Sequence, residues 1–93
     1  MLQKLLGSKI RVNVLTLFIL NPKREYYARE IEREIKFNFE ATRKELIKLE
    51  GLGLLKSRIS GKQRYYSIQT KHVLFPEFKS MILKTVTAKR RAK

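Results

Sequence analysis

Two segments of helical periodicity lie only three residues apart, and this spacing constrains the fold of the chain more than any other feature. In the first segment, at about residues 28–35, three apolar side chains share one helical face: Ala28, Ile31 and Ile35. After the break Lys36-Phe37-Asn38, a second segment runs to about residue 52. Asn38 suits the start of that helix because its side chain can accept from free N–H groups. Two short helices joined by so tight a turn are typical of a helix–turn–helix.

The outward face of the second helix, at about residues 39–52, holds candidate functional residues. Three residues recur at the spacing of an inward face: Thr42, Leu46 and Leu49. The N-terminal half of such a helix enters the DNA major groove, so we expect these residues to contact DNA: Phe39, Glu40, Arg43, Lys44 and Lys48. Arg43 and Lys44 can satisfy both acceptors of a guanine edge, although ordinary solvated charges would show the same spacing. Glu40 either accepts from a cytosine amino group or favours the positive helix N-terminus.

A pattern typical of a β-hairpin follows this helix directly. Residues 54–59 and 64–68 are rich in strand-forming side chains, and Ser60-Gly61-Lys62-Gln63 between them is a turn signal. We refer to residues 54–68 as the hairpin. It contains no acidic residue and four basic residues, which we expect to hold phosphates: Lys56, Arg58, Lys62 and Arg64. Edge lysines on a solvated hairpin would explain one or two of these charges, but four less well.

The first helix is predicted over about residues 9–20, from a Ser8 N-cap to the stop at Asn21-Pro22. It has two apolar faces, one with Ile10, Val14, Leu17 and Phe18 and the other with Val12, Leu15 and Ile19. A chain of 93 residues has little material to cover both faces, so we expect a partner subunit to cover the second.

The last helix is predicted over about residues 76–88, with Pro76 in its first turn and an apolar stripe behind it. The expected dimer surface combines both ends of the chain: Leu5, Leu6, Val12, Leu15, Ile19, Phe78, Met81 and Ile82. Residues 1–88 are thus expected to form one domain, followed by a basic tail at 89–93. That tail either lies along DNA phosphates or is simply solvated.

The charge of the chain points to a polyanionic partner. Lys and Arg number 22 against eight acidic residues, which gives a net charge of +14. Residues 56–93 hold eleven of the basic residues and only one acid, Glu77, for a local charge of +10. A small domain this basic is most often a nucleic-acid binder, although solubility alone is a blander explanation.

Composition argues against an enzyme, a metal protein and a membrane protein. There is no cysteine and a single histidine, His72, which we interpret as a solvated loop residue, so we expect no metal, cofactor or catalytic centre. The most apolar stretch, residues 10–20, is too short and too polar to span a membrane, and no cleavage site follows it. We therefore expect a cytoplasmic protein associated with the nucleoid.

The order of helix, short strand, helix, turn, helix and hairpin resembles the winged helix–turn–helix transcriptional regulators of bacteria and archaea, the broad ArsR- and MarR-like group. The resemblance covers about residues 5–85 and is carried by these segments: 26–31, Asn38, 43–55 and 61–66. Its most specific part is Leu49-Glu-Gly-Leu-Gly-Leu-Leu55 running into a basic turn and Arg64-Tyr-Tyr66.

The resemblance implies a mainly α fold with a small β-hairpin (α+β), a recognition helix opening at Asn38 and the hairpin as the wing. It also implies sequence-specific binding of double-stranded DNA by a homodimer that meets through its terminal helices. Metal sensing, for which the ArsR group is named, is not implied, because the chain has no cysteine. No residue set identifies an effector ligand or a protein partner.

Two alternatives to a DNA-binding regulator stay open at this point. A small basic RNA-associated or ribosomal accessory protein would display aromatic side chains for base stacking. The adjacent pairs Tyr26-Tyr27 and Tyr65-Tyr66 suit this, because in a strand one of each pair is buried and the other is free to stack. A winged-helix protein-interaction module is the other alternative, but Arg43, Lys44 and Lys48 make its surface basic.

Overall fold

The fold follows from a computed structural model, which describes residues 8–91. Within that range the elements in chain order are α1 (Lys9–Leu20), β1 (Tyr26–Tyr27), α2 (Ala28–Ile35), α3 (Phe39–Gly51), β2 (Leu55–Ser60), β3 (Gln63–Ile68) and α4 (Phe75–Arg91). The last helix runs past residue 88, so the expected tail beginning at residue 89 is wrong: residues 89–91 continue α4. Leu5 and Leu6 lie outside the described residues.

Short polar side chains cap the helices where the sequence predicts their starts. The Ser8 hydroxyl accepts from the Arg11 backbone N–H at 3.0 Å, and Asn38 Oδ1 accepts from the Ala41 N–H at 2.8 Å. Each cap satisfies one of the N–H groups that a helix leaves unpaired in its first turn. Between α2 and α3 the chain reverses at Lys36, a non-glycine residue with a φ of 60°. This left-handed residue ends α2 and sets the tight turn of the helix–turn–helix.

The three strands form one antiparallel sheet in the order β1-β3-β2. Tyr26 pairs with Tyr66 and Tyr27 with Tyr65. In each of the adjacent pairs Tyr26-Tyr27 and Tyr65-Tyr66, one member is buried, as predicted. Tyr26 and Tyr66 are 1% and 5% exposed. The other two, Tyr27 and Tyr65, meet edge to face with ring centroids 5.9 Å apart. They are half-buried against each other, so they do not form a pair of open stacking platforms.

The core encloses α1, and this overturns part of the expected dimer surface. α1 contacts α2, α3, α4 and β3, so its two apolar faces are covered inside a single chain. Leu15 and Ile19 from the second face are 0% and 3% exposed, and Ile82 of α4 is 1% exposed. Leu15 and Ile19 are core residues because four elements surround α1, and Ile82 is a core residue because α4 packs against that helix. Val12, Phe78 and Met81 pack on the edge of the core and stay half-buried.

Candidate nucleic-acid interface

A groove lined by four basic side chains lies between the start of α2, the start of α3 and the tip of the hairpin. Its volume is ≈ 210 Å³, and its cations are Arg29, Arg43, Lys62 and Arg64, with Ala28, Phe39, Gln63 and Tyr66 completing the lining. We refer to this as the basic groove. No carboxylate lines it. Positive charges gathered in a concave site attract a polyanion more strongly than the same charges spread over a surface.

Local structure positions two of these cations, Arg43 and Lys62, within their elements. Asn38 starts α3 one residue before Phe39, which places Arg43 one turn later with its guanidinium carbon 5.2 Å from the Phe39 ring centroid. Lys62 lies in the two-residue turn closed by the Ser60–Gln63 pair, where Gly61 takes a φ of 61°. That left-handed conformation costs glycine little, so the turn is tight and presents Lys62 at its tip.

Arg64 reaches the basic groove from β3 along the sheet face that packs on α3. Its Nη1 donates to the Ser57 hydroxyl at 2.9 Å, and that hydroxyl donates to Glu50 Oε2 at 2.6 Å. Tyr66 lies beside this chain of hydrogen bonds. Burial raises the pKa of Tyr66 and the nearby Glu50 charge adds to the rise, while Arg64 and Arg43 act in the opposite direction. Both arginines line the basic groove together with Tyr66.

A second groove of ≈ 480 Å³ adjoins this site along α2. It shares Arg29 and Phe39 with the basic groove, and it also contains Arg33 and Glu32. Because an acid lies among its bases, it lacks the single sign of charge that distinguishes the basic groove. Positive charge is therefore more concentrated in the basic groove, next to the hairpin, than in the groove along α2.

No protein-family model and no curated protein matches the chain by sequence. Solved structures do match: the transcriptional repressor BigR from Xylella fastidiosa is 18% identical, with 94% of this chain and 81% of that chain covered and a TM-score of 0.72. The antimony-specific repressor AntR is 16% identical over 96% of this chain and 74% of its own, at a TM-score of 0.74. MepR, which regulates the Staphylococcus aureus multidrug efflux pump MepA, is 12% identical over 99% and 70%, at a TM-score of 0.72.

The chain has a winged helix–turn–helix fold. Its structural neighbours are regulators of the ArsR- and MarR-like group. In the terms of this fold α3 is the recognition helix and the hairpin is the wing. The predicted fold class, mainly helical with a small hairpin, is confirmed.

The winged helix–turn–helix divides the four hairpin cations between two places. Side chains alternate along a strand, so Lys56 and Arg58 lie on the sheet face opposite to Arg64. Arg58 is held by Glu25 through two hydrogen bonds, Nε to Oε2 at 2.8 Å and Nη2 to Oε1 at 2.7 Å. These bonds to Arg58 lower the pKa of Glu25. Of the four hairpin cations, Lys62 and Arg64 line the basic groove and Lys56 and Arg58 do not. That all four hold phosphates stays a prediction.

The predicted recognition-helix residues are likewise divided. Phe39 and Arg43 line the basic groove. Glu40, Lys44 and Lys48 are exposed on α3 and do not line it. Glu40 lies in the first turn, where a carboxylate favours the positive end of the helix. The helix thus presents one cation to the basic groove and two outside it.

Arg29 is a cation of the basic groove that the sequence pattern did not predict as a site residue. It is the second residue of α2 and is exposed, and it lines the basic groove beside Arg43 and Lys62. Nothing in the α2 pattern separates it from the other charged residues of that helix. It becomes a site residue because the start of α2 packs next to the start of α3, which is a tertiary contact.

Glu45 is a second residue that the sequence pattern did not predict, because it is a buried carboxylate on α3. It is 4% exposed, and its Oε2 lies 2.7 Å from Arg11 Nε of α1. The helical spacing indicates this burial, because position 45 falls on the same helical face as Thr42 and Leu49. This ion pair ties α3 to α1, and it places one acidic charge of α3 in the interior rather than on the exposed face of the helix.

His72 lies in the loop before α4, as predicted, but it is half-buried and hydrogen-bonded at both ring nitrogens. The Leu74 backbone N–H donates to His72 Nδ1 at 3.0 Å. Nε2 then carries the proton and donates to the Leu52 carbonyl at 3.2 Å. The ring also covers Gly53, with its Cδ2 atom 3.5 Å from the position that a Cβ would take there. His72 therefore ties the loop before α4 to the end of the recognition helix.

Metal-binding clusters and membrane-spanning helices are both absent from residues 8–91. No three of the histidine and acidic side chains in this part of the chain cluster in a way that would hold a metal ion. Among the helices of the same range, none combines the length and the apolar character needed to cross a bilayer.

Proposed function

We propose that this protein binds double-stranded DNA in a sequence-specific manner and regulates transcription. The basic groove carries the proposal: Arg29, Arg43, Lys62 and Arg64 converge there with no carboxylate among the lining residues. The protein acts as a non-catalytic binder, and a DNA ligand implies the cytoplasm, at the nucleoid, as its place of action.

In the proposed complex α3 enters the major groove and the hairpin lies on the adjoining backbone or minor groove. Arg43 contacts base edges or the phosphate beside them, with its guanidinium carbon 5.2 Å from the Phe39 ring centroid. Arg29, Lys62 and Arg64 hold phosphates on either side. Lys44 and Lys48 extend the positive surface of α3 beyond the basic groove. Lys56 contributes only long-range attraction from the opposite face of the hairpin.

The structural neighbours support DNA as the partner. BigR and AntR are transcriptional repressors, and a mutant of MepR from S. aureus was solved bound to an oligodeoxyribonucleotide. That mutant is 10% identical to this chain, with 98% of this chain covered and a TM-score of 0.71. A shared fold alone does not fix function. The proposal therefore depends on the charge of the basic groove in this chain.

We further propose that the protein acts as a homodimer through the ends of the chain. Val12, Phe78 and Met81 stay half-buried on the rim of the core, and Leu83 of α4 is 38% exposed. A two-fold dimer asks for two DNA half-sites about one helical turn apart, or a multiple of that distance. Light scattering with size-exclusion chromatography measures the mass; a single-chain mass at every concentration would contradict the dimer.

The experiment that tests DNA binding is a selection from a random duplex pool at about 150 mM salt, where non-specific binding is already weak. We expect a palindromic motif to be enriched. Arg43→Ala should then cost about 1–3 kcal/mol on the selected sequence and less on random duplex. Lys79→Ala on exposed α4 is the matched control and should change little. No enrichment, or tighter binding to single-stranded RNA than to any duplex, would contradict the proposal.

A further inference from the structure

Three residues from three elements form a hydrogen-bond chain that ends in the basic groove. Glu50 lies at the end of α3, Ser57 in β2 and Arg64 in β3. A guanidinium only donates and a carboxylate only accepts, so the direction of the chain is fixed. Arg64 Nη1 donates to the Ser57 hydroxyl at 2.9 Å, and that hydroxyl donates to Glu50 Oε2 at 2.6 Å.

The sheet register explains why Ser57 meets Arg64. Ser57 pairs with Tyr66 and Ile59 pairs with Arg64, so Ser57 and Arg64 are diagonal neighbours on the same face of the hairpin. Arg64 therefore lies back along the sheet toward α3 instead of extending into solvent. Its remaining N–H groups stay available in the basic groove, which its side chain lines.

The contact leaves the charge of Arg64 available to a ligand. Its partner is a neutral hydroxyl, and within residues 8–91 Arg64 forms no ion pair. Arg58 differs in both respects, because it donates twice to the Glu25 carboxylate. Ser57 thus orients a guanidinium without neutralising it. An arginine side chain loses considerable rotamer freedom when it is immobilised by a ligand, and a side chain that is already oriented loses less.

We propose that Ser57 is a positioning residue for DNA binding. Its hydroxyl is oriented by Glu50 and holds the Arg64 guanidinium in the basic groove, so that a phosphate meets an arginine already in place. The inference rests on the proposed DNA-binding function.

The test uses purified full-length protein and a fluorescently labelled mixed-sequence duplex of about 30 base pairs, titrated over a range of salt concentrations. Ser57→Ala should weaken binding by about 3–10-fold, the scale of one ordered long side chain. It should leave the salt dependence unchanged, because no charge is lost. Arg64→Ala should weaken binding and also lower the salt slope by about 1. Ser57→Thr keeps the hydroxyl and should bind like the wild type.

The matched control is Ser67→Ala. It also removes a serine hydroxyl from a half-buried position, but on the opposite sheet face. It should bind like the wild type. In the Arg64→Ala background, Ser57→Ala should have no further effect, because the group it positions is gone. Should Ser57→Ala fail to fold, as judged by circular dichroism, Ser57→Cys retains the size of the side chain with a poorer acceptor and should show the same loss.

Several results would overturn the inference. Wild-type affinity in Ser57→Ala would do so, as would a loss that persists in the Arg64→Ala background or an equal loss in Ser67→Ala. Wild-type affinity in Arg64→Ala would also refute it. These outcomes all require that the wild-type protein binds the duplex. A wild-type protein that does not bind would instead refute the proposed function itself, so the two failures are distinguishable.

Discussion

On one face of the hairpin Arg58 donates to Glu25 through two hydrogen bonds and lies 5.2 Å from the Tyr65 ring centroid. On the other face Arg64 gives one N–H to Ser57 and lines the basic groove. Both arginines lie on the same hairpin and count equally in the net charge. One is part of the scaffold and the other is available to a ligand. Whether the charge of an arginine is available to a ligand therefore depends on the neighbours of its side chain.

The largest expected effect breaks the equivalence of the two arginines directly. Arg64→Gln should weaken binding to duplex DNA by about tenfold or more and lower the salt slope by about 1, because a phosphate contact is lost. Arg58→Gln should change the affinity by less than about twofold, because that guanidinium is already occupied by a carboxylate. Fluorescence anisotropy across a salt series measures both. Equal losses for the two variants would show that the Glu25 pair opens when DNA binds.

A second prediction extends the comparison to α2. Arg29 lines the basic groove with Arg43, so Arg29→Gln should weaken duplex binding by about 3–10-fold. The same variant should lose as much affinity on random duplex as on a selected sequence, since a phosphate contact is independent of sequence. Lys79→Gln, an exposed lysine on α4, is the control for loss of one charge. Unchanged affinity in Arg29→Gln would remove α2 from the interface.

The smallest effect concerns the scaffold face and is a pH dependence. Hydrogen bonding to Arg58 lowers the pKa of Glu25 below its ordinary value of 4.5. The pair therefore contributes stability above that value and loses its contribution as the pH falls through the lowered pKa. Glu25→Gln should be less stable than the wild type near pH 7, and the difference should shrink at an acidic pH well below 4.5. Urea denaturation at both pH values measures it; a constant difference would argue against the ion pair.

Local patterns predicted most of the fold, and the reason lies in short-range chemistry. Ser8 and Asn38 cap helices through hydrogen bonds to N–H groups three residues ahead, so the helix starts depend only on neighbouring residues. Gly61 forms the hairpin turn by the same kind of local requirement. The tyrosine pairs followed from strand alternation. The end of α4 was misjudged because its basic residues resemble a solvated tail, although the helix continues to Arg91.

The candidate site was only half predicted. Arg43, Lys62 and Arg64 were identified by element and charge, whereas Lys56 and Arg58 shared those properties and lie elsewhere. Arg29 had no distinguishing pattern at all. The expected dimer surface failed at Leu15, Ile19 and Ile82 for a related reason. The two apolar faces of α1 are visible in the sequence, but which elements cover them depends on how α2, α3, α4 and β3 pack around it.

Local sequence patterns are enough to predict the elements, their order, the tight turn between α2 and α3, and the excess of positive charge. Each of these depends on residues within a few positions of one another, where spacing and side-chain type are enough. Which cations pair with a carboxylate depends on the tertiary structure. Glu25 and Arg58 are 33 positions apart in the chain, and the three-stranded sheet brings them within hydrogen-bonding distance. Arg29 and Arg64 meet in one groove because α2, α3 and the hairpin pack together, and such long-range packing has no local signature.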